Sequence, residues 1–187
     1  CIGHFDFRIE ELNCDYYGSS LHKWLATPLG AGLLYVTDDQ ISKLWPLIAD
    51  NEKNPDKIKR LSHKGTIPVH IDLAIVNAME YLQWMGIKKK EKRLRFLKNY
   101  WLQALEDVPN IVINTPLEDS RSCGIGNVGV KNIKPATLAK RLYDEFKIFT
   151  VAIDYANVQG CRITLNVFTT INELDTFIKA MKSIALA

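Results

Sequence analysis

The chain has no pair of cysteines at C-x-x-C spacing and no two histidines at H-x-x-x-H spacing. Its four cysteines (Cys1, Cys14, Cys123, Cys161) and four histidines (His4, His22, His63, His70) are scattered, so neither a structural zinc site nor a histidine-built metal centre is expected. It lacks an apolar run near the ~20 residues that a membrane-spanning helix needs. The longest, Leu25 to Val36, is interrupted by Thr27, Pro28, Gly30 and Gly32. Residues 1–25 carry charges throughout and show no signal-peptide pattern. Charge of one sign is lacking too: 24 Lys and Arg against 21 Asp and Glu leave +3, too little to point to nucleic acid or an anionic membrane surface. There is no G-x-S-x-G elbow, since Gly18-Ser19-Ser20 has no second glycine. The carboxylate pairs Glu10-Glu11 and Asp38-Asp39 are adjacent, point apart, and make poor acid–base pairs.

What is present is ordinary globular composition: 187 residues, 47% apolar and 24% charged, enough for one domain or one with a small companion. A chain of this size buries an adequate core without staples, so the scattered cysteines read as reduced and buried, which suits the cytoplasm. Two disulfides would also be allowed by the count.

The chain begins with short elements. Asp15-Tyr16-Tyr17 has strand character, and Gly18-Ser19-Ser20 reads as the break after it. Gly32 to Val36 is a continuous apolar run, as for a strand buried on both faces. Asp38 to Leu44 reads as a short helix ahead of Pro46, and 49–66 as a long surface loop. Ile71, Ile75, Ala78, Leu82 and Met85 form one helical stripe closed by Gly86, and Leu94, Leu97, Trp101 and Leu105 form another. After Pro109 the pattern predicts strands at Ile111–Ile113 and 124–130, a helix opened by Pro135, strands at 148–153 and 162–168, and a last helix capped by Thr170-x-x-Glu173. The expected order there is β-β-α-β-β-α.

Two motifs have plain readings. Lys88-Lys89-Lys90-Glu91-Lys92-Arg93-Leu94-Arg95 could be a nucleic-acid patch, but it has no interleaved aromatics and reads better as the solvated start of a helix. Gly124-Ile-Gly126-Asn-Val-Gly129 fits G-x-G-x-x-G, yet Val128 and Val130 continue a strand and no helix opens inside the motif. Close backbone approach or a bulge accounts for those glycines better.

Lys23 is different. It follows a strand and a small-residue turn and lies among Leu21, Trp24 and Leu25. A desolvated lysine has a lowered pKa and a nucleophilic amine; the other reading is a side chain that snorkels to solvent.

Ser20-Leu-His22-Lys23-Trp24, followed by the Pro28-Leu-Gly30-Ala-Gly32 strand entry, resembles the lysine motif of class V aminotransferases. These are pyridoxal-phosphate enzymes of fold type I that include cysteine desulfurases and isopenicillin-N-epimerase-like proteins. Gly65-Thr66 is similar to the family's Gly-Thr element, and Gly160-Cys161-Arg162 through Glu173-Leu174-Asp175 is similar to its arginine strand and final helix. The resemblance thus runs, in order, over the whole chain. It implies an α/β fold: residues 1–66 as the end of the large cofactor domain, a mostly parallel sheet with helices; 67–108 as connector helices; 109–187 as a small α+β domain. It implies that Lys23 forms the Schiff base with pyridoxal 5'-phosphate and shuttles the proton at the substrate Cα. Ser20 and His22 would bind the cofactor phosphate, Gly65 and Thr66 would reach the cofactor of the other subunit of a homodimer, and Arg162 would bind the carboxylate of an amino-acid substrate.

The departures narrow the activity. No cysteine lies between Phe146 and Gly160, where a desulfurase of this kind carries its nucleophile, and Cys161 alternates with Arg162. The resemblance therefore favours an aminotransferase or epimerase-like cytoplasmic enzyme; a desulfurase or lyase, or a non-catalytic binding module, are the alternatives. The family's Asp against the pyridine nitrogen and its ring-stacking aromatic have no counterpart here: Asp6 follows Gly3-His4 rather than preceding it. The expectation is a C-terminal portion of a longer enzyme that alone binds cofactor weakly.

Overall fold

A computed structural model describes residues 2–63 and 65–187. Cys1 and Lys64 lie outside the described residues. The chain divides into two compact units, one running to Ile87 and the other from Lys88 to Ala187.

The first unit contains β1 (Tyr16–Ser20), β2 (Gly32–Val36), α1 (Asp38–Ile41) and α2 (Val69–Met85), with 3-10 turns at Ile9–Leu12 and Ile58–Leu61. β1 and β2 run antiparallel, with Tyr16 opposite Val36 and Ser20 opposite Gly32. Two local expectations are corrected here. Gly18-Ser19-Ser20 does not break the strand but completes it, because each residue is laddered to its partner Leu34, Leu33 or Gly32; cross-strand pairing outweighs weak intrinsic strand preference. Nor is β2 buried on both faces: Leu34 is 55% exposed and only Val36 is buried, as a two-stranded ribbon leaves a face open.

The expected stripe of α2 does pack. Ile71, Ile75, Ala78 and Leu82 close on Leu21, Leu25 and Ala31. Gly86 ends the helix at φ +82°, its N–H donating to Leu82 O at 2.8 Å. The long loop ahead of α2 is tied down from within. Arg60 is buried, and its guanidinium donates to Ile41 O (2.6 Å), Leu44 O (2.6 Å) and Pro55 O (2.8 Å).

The second unit takes α3 (Ile87–Leu105) from Lys88 onward, then β3 (Ile111–Ile113), β4 (Ile125–Val130), α4 (Pro135–Phe146), β5 (Val151–Tyr155), β6 (Val158–Thr164) and α5 (Ile171–Leu186). The β-β-α-β-β-α order read from the sequence is the order found. The four strands form one antiparallel sheet in the order β3-β4-β6-β5. Leu97, Trp101 and Leu105 of α3, Leu138 and Leu142 of α4, and Phe177 and Met181 of α5 cover the sheet face that carries Val128, Cys161 and Ile163. The capping box of α5 is complete: Glu173 N–H donates to Thr170 Oγ1 (3.2 Å), and Thr170 N–H to Glu173 Oε2 (2.7 Å).

Strand ends differ from the sequence pattern for local reasons. β5 starts at Val151 rather than Ile148 because Lys147, at φ +59°, closes α4 and Ile148 N–H donates back to Leu142 O at 3.0 Å. The basic run does open α3, but it is not uniformly solvated: Lys90 is buried, and burial lowers its pKa. The glycines of the G-x-G-x-x-G motif mark close approach, as expected. A methyl group on Gly126 would stand 2.5 Å from Trp101 Cζ2, and one on Gly129 would stand 2.5 Å from Gln159 O. Among the described residues no helix is long and apolar enough to cross a membrane.

Candidate functional site

Lys23 sits in the turn that leaves β1. Leu21 N–H donates to Ala31 O (3.0 Å) and Thr27 N–H to Leu21 O (3.4 Å), which folds residues 21–27 into a closed loop. Leu21 and Leu25 anchor that loop in the core at 3% and 5% exposure. Lys23, at its apex between them, is exposed. Of the two readings of Lys23, a desolvated amine or a side chain reaching solvent, the structure has the second: its neighbours are buried, but the lysine is exposed. The loop rests on residues 3 and 4. The Trp24 ring stacks on buried His4 with centroids 3.8 Å apart and planes 8° from parallel. Gly3, at φ +76°, passes so close beneath that a methyl group there would meet Leu25 N at 2.9 Å.

Beside the loop lies an open groove of about 550 Å³ whose polar lining is Ser19, Ser20, His22 and Ser62, with Gly30 and Gly32 leaving room at its wall. His22 Nδ1 is buried and has no hydrogen-bond partner among the described residues. An unpaired buried nitrogen costs about 1–3 kcal/mol, and such groups persist mainly where a ligand or other function accounts for them. Hydroxyls, a free imidazole nitrogen and backbone without side chains suit a phosphate oxyanion. On this observation Ser20 and His22 fit the phosphate end of pyridoxal phosphate. Lys23 is the next residue along, outside the groove lining itself.

The structure thus brings Ser20 and His22 together. Gly65 and Thr66 lie elsewhere in the same unit, exposed in the bend ahead of α2, with Gly65 at φ +64°. Arg162 belongs to the second unit, exposed on β6, while Cys161 beside it is fully buried. Two polar groove residues do not stand out in the sequence, Ser19 and Ser62. Ser19 was hidden by reading Gly18-Ser19-Ser20 as a turn, and Ser62 comes from a loop without a pattern.

Neither buried thiol in the second unit is activated. Burial raises the pKa of Cys161, whose Sγ–H points to Pro135 O at 3.6 Å. Burial likewise raises that of Cys123, against a smaller lowering by Arg95.

The profile of the Aminotransferase class-V family matches residues 1–177. The isopenicillin N epimerase of Amycolatopsis lactamdurans is 26% identical across 98% of this chain and 50% of its own length. The cysteine desulfurase of Wigglesworthia glossinidia brevipalpis is 25% identical across 96% of this chain and 47% of its own. Among solved structures, the apo cysteine desulfurase of Thermococcus onnurineus NA1 superposes with a TM-score of 0.83 at 17% identity, over 99% of this chain and 50% of that one. A NifS-like protein superposes at 0.76 with 26% identity, over 97% of this chain and 49% of that one. The chain spans about half the length of the curated relatives it matches. The superpositions identify its α/β architecture with that of fold type I pyridoxal-phosphate enzymes.

Proposed function

The chain belongs to the class-V aminotransferase family, whose cofactor is pyridoxal phosphate, and from that premise we propose that it works in an aminotransferase- or epimerase-like enzyme acting on an amino acid through Lys23. The observation that carries this reading is the groove lined by Ser20 and His22 immediately ahead of that lysine, with His22 Nδ1 unpartnered among the described residues. In this reading Ser20 and His22 hold the cofactor phosphate. The Lys23 amine would hold the cofactor and would carry the proton to and from the substrate Cα. Arg162 offers its planar fork to the substrate carboxylate. The bound cofactor supplies the electron sink that makes the Cα proton removable.

Borohydride reduction of the full-length enzyme with pyridoxal phosphate is expected to leave a pyridoxyl group on the peptide carrying Lys23. A reduced enzyme without label on that peptide would remove Lys23 from the reaction and leave a non-catalytic binding module as the better description.

The family also holds desulfurases, whose chemistry needs a nucleophilic thiolate. Burial and a raised pKa make Cys123 and Cys161 unsuitable. Cys161→Ala in the full-length enzyme should therefore leave turnover within about twofold, because an inert buried thiol contributes packing alone. A loss of turnover in a variant with unchanged circular dichroism would restore the desulfurase reading. The same inert thiols suit a reducing compartment, and we assign the enzyme to the cytoplasm.

We further propose a homodimer in which Gly65 and Thr66 reach the cofactor of the second copy. Supporting it, α2 is apolar on two sides. Besides the stripe that packs inward, Leu73 (67% exposed), Val76 (57%) and Trp84 (82%) form an outer one. Leu73→Glu should convert a sedimenting dimer into monomer while keeping helical content; an unchanged sedimentation coefficient would place the dimer contact elsewhere.

A further inference from the structure

The open face of the four-stranded sheet carries more than Arg162. Asn127 of β4 is the direct cross-strand partner of Arg162 on β6, so the two side chains rise from the same face with Cβ atoms about 4.5–5.5 Å apart. Both donate where the described residues offer them nothing. Arg162 is exposed, and its guanidinium has no partner among the described residues.

The orientation of the Asn127 amide follows from its neighbours. Asn114 Nδ2 donates to the backbone oxygen of Gln159 at 2.9 Å, and a carbonyl oxygen only accepts, which fixes that end of Asn114 as its nitrogen. The same nitrogen donates to Asn127 at 2.8 Å, so the Asn127 atom facing it is Oδ1. Asn127 Nδ2 is therefore turned away, with both N–H groups unused among the described residues. Two further features hold the side chain in this pose. A methyl group on Gly160 would stand 2.5 Å from Asn127 Oδ1, so the amide lies across β6 at a place only glycine leaves open. The Asn127 backbone is clasped on both sides, its N–H donating to Thr115 Oγ1 (2.6 Å) and its carbonyl accepting from Asn114 N–H (3.0 Å).

A carboxylate offers about four lone-pair positions, and a guanidinium fork uses two. We propose that Asn127 is a specificity-determining residue that donates, through Nδ2, a further hydrogen bond to the carboxylate held by Arg162, which selects amino acids over the corresponding amines. This rests on the substrate-carboxylate role proposed above for Arg162. The pose is held by contacts within the protein itself, so little side-chain entropy is lost on binding.

Asn127→Asp is nearly isosteric and keeps Oδ1 for Asn114 while replacing the free donor with a carboxylate oxygen. Asn127→Ala removes the donor without adding charge. In the full-length enzyme loaded with pyridoxal phosphate, propionate, with a carboxylate and no amine, and propylamine, with an amine and no carboxylate, serve as inhibitors of equal carbon count. Asn127→Asp should weaken propionate inhibition by about 100-fold and Asn127→Ala by about tenfold, the loss expected for a bond to a charged group. Propylamine inhibition and the melting temperature of the Asp variant should hold. If Arg162→Gln weakens propionate but neither Asn127 variant does, the role of Asn127 is wrong and that of Arg162 stands. If Arg162→Gln leaves propionate unchanged, the carboxylate site itself is misplaced.

Discussion

Lys23→Ala in the full-length enzyme is expected to lower turnover by about 10³-fold or more, because in the proposed role one side chain supplies both the covalent anchor and the proton carrier. Lys23→Arg should be no better. It keeps the positive charge at the apex of the 21–27 loop but cannot form the covalent link. The fold should survive both changes, since Lys23 is exposed and the loop is held by Leu21, Leu25 and the His4–Trp24 stack. The measurement is steady-state turnover together with the absorbance of bound cofactor. Turnover within tenfold of the parent in the alanine variant would sink the assignment. Ser20→Ala and His22→Ala form a different class: they should weaken cofactor retention while a saturated enzyme keeps most of its activity. Because His22 Nδ1 is buried and unpartnered among the described residues, His22→Ala should not destabilise the cofactor-free protein.

The second large effect concerns stability. Trp101 is fully buried and meets Phe177 edge-on, with centroids 5.6 Å apart at 84°. Trp101→Ala should destabilise the second unit by about 3–5 kcal/mol, the usual cost of emptying a large aromatic site. Trp101→Phe should cost much less, because it deletes an indole Nε1–H that has no partner among the described residues. Gly126 is coupled to this ring. Gly126→Ala alone would drive a methyl group to 2.5 Å from Trp101 Cζ2 and should cost about 1–3 kcal/mol. In a Trp101→Leu background most of that penalty should vanish, a non-additivity expected for groups in contact. Urea titration of the four proteins measures it; strictly additive costs would mean that the ring is not what Gly126 makes room for.

Periodicity made much of this fold legible. The inward stripe of α2, the α3 residues around Trp101 and the Thr170-Glu173 cap are local patterns, and each packs as its spacing implies. What escaped was set by distant partners. Gly18-Ser19-Ser20 reads as a break until Gly32–Leu34 is laid beside it. β5 reads three residues early until the α4 terminus claims Ile148. At the candidate site, the motif order of Ser20, His22, Lys23, Gly65, Thr66 and Arg162 carried the family resemblance, and the family match over 1–177 agrees with it. The exposure of Lys23 was one of two readings the sequence left open, because flanking leucines in a tight turn do not decide where its apex points. Ser62 enters the groove wall from a loop whose path no periodic signal describes.

Arg60 gives that loop an unexpected tolerance to change. One guanidinium bonds the carbonyls of Ile41, Leu44 and Pro55, so the chain on either side of residues 45–54 is clamped to the same point. In the intervening stretch Trp45 and Leu47 are almost fully exposed, while Asp50 is bonded back to His63 at 2.8 Å. Lengthening or shortening it at residues 45–47 would change closure entropy by only fractions of a kcal/mol, and Ser62, two residues past the clamp, would keep its position. The protein can thus accept insertions and deletions at residues 45–47 as a modular exterior, with the groove wall insulated from them by buried Arg60 and the Asp50–His63 bond.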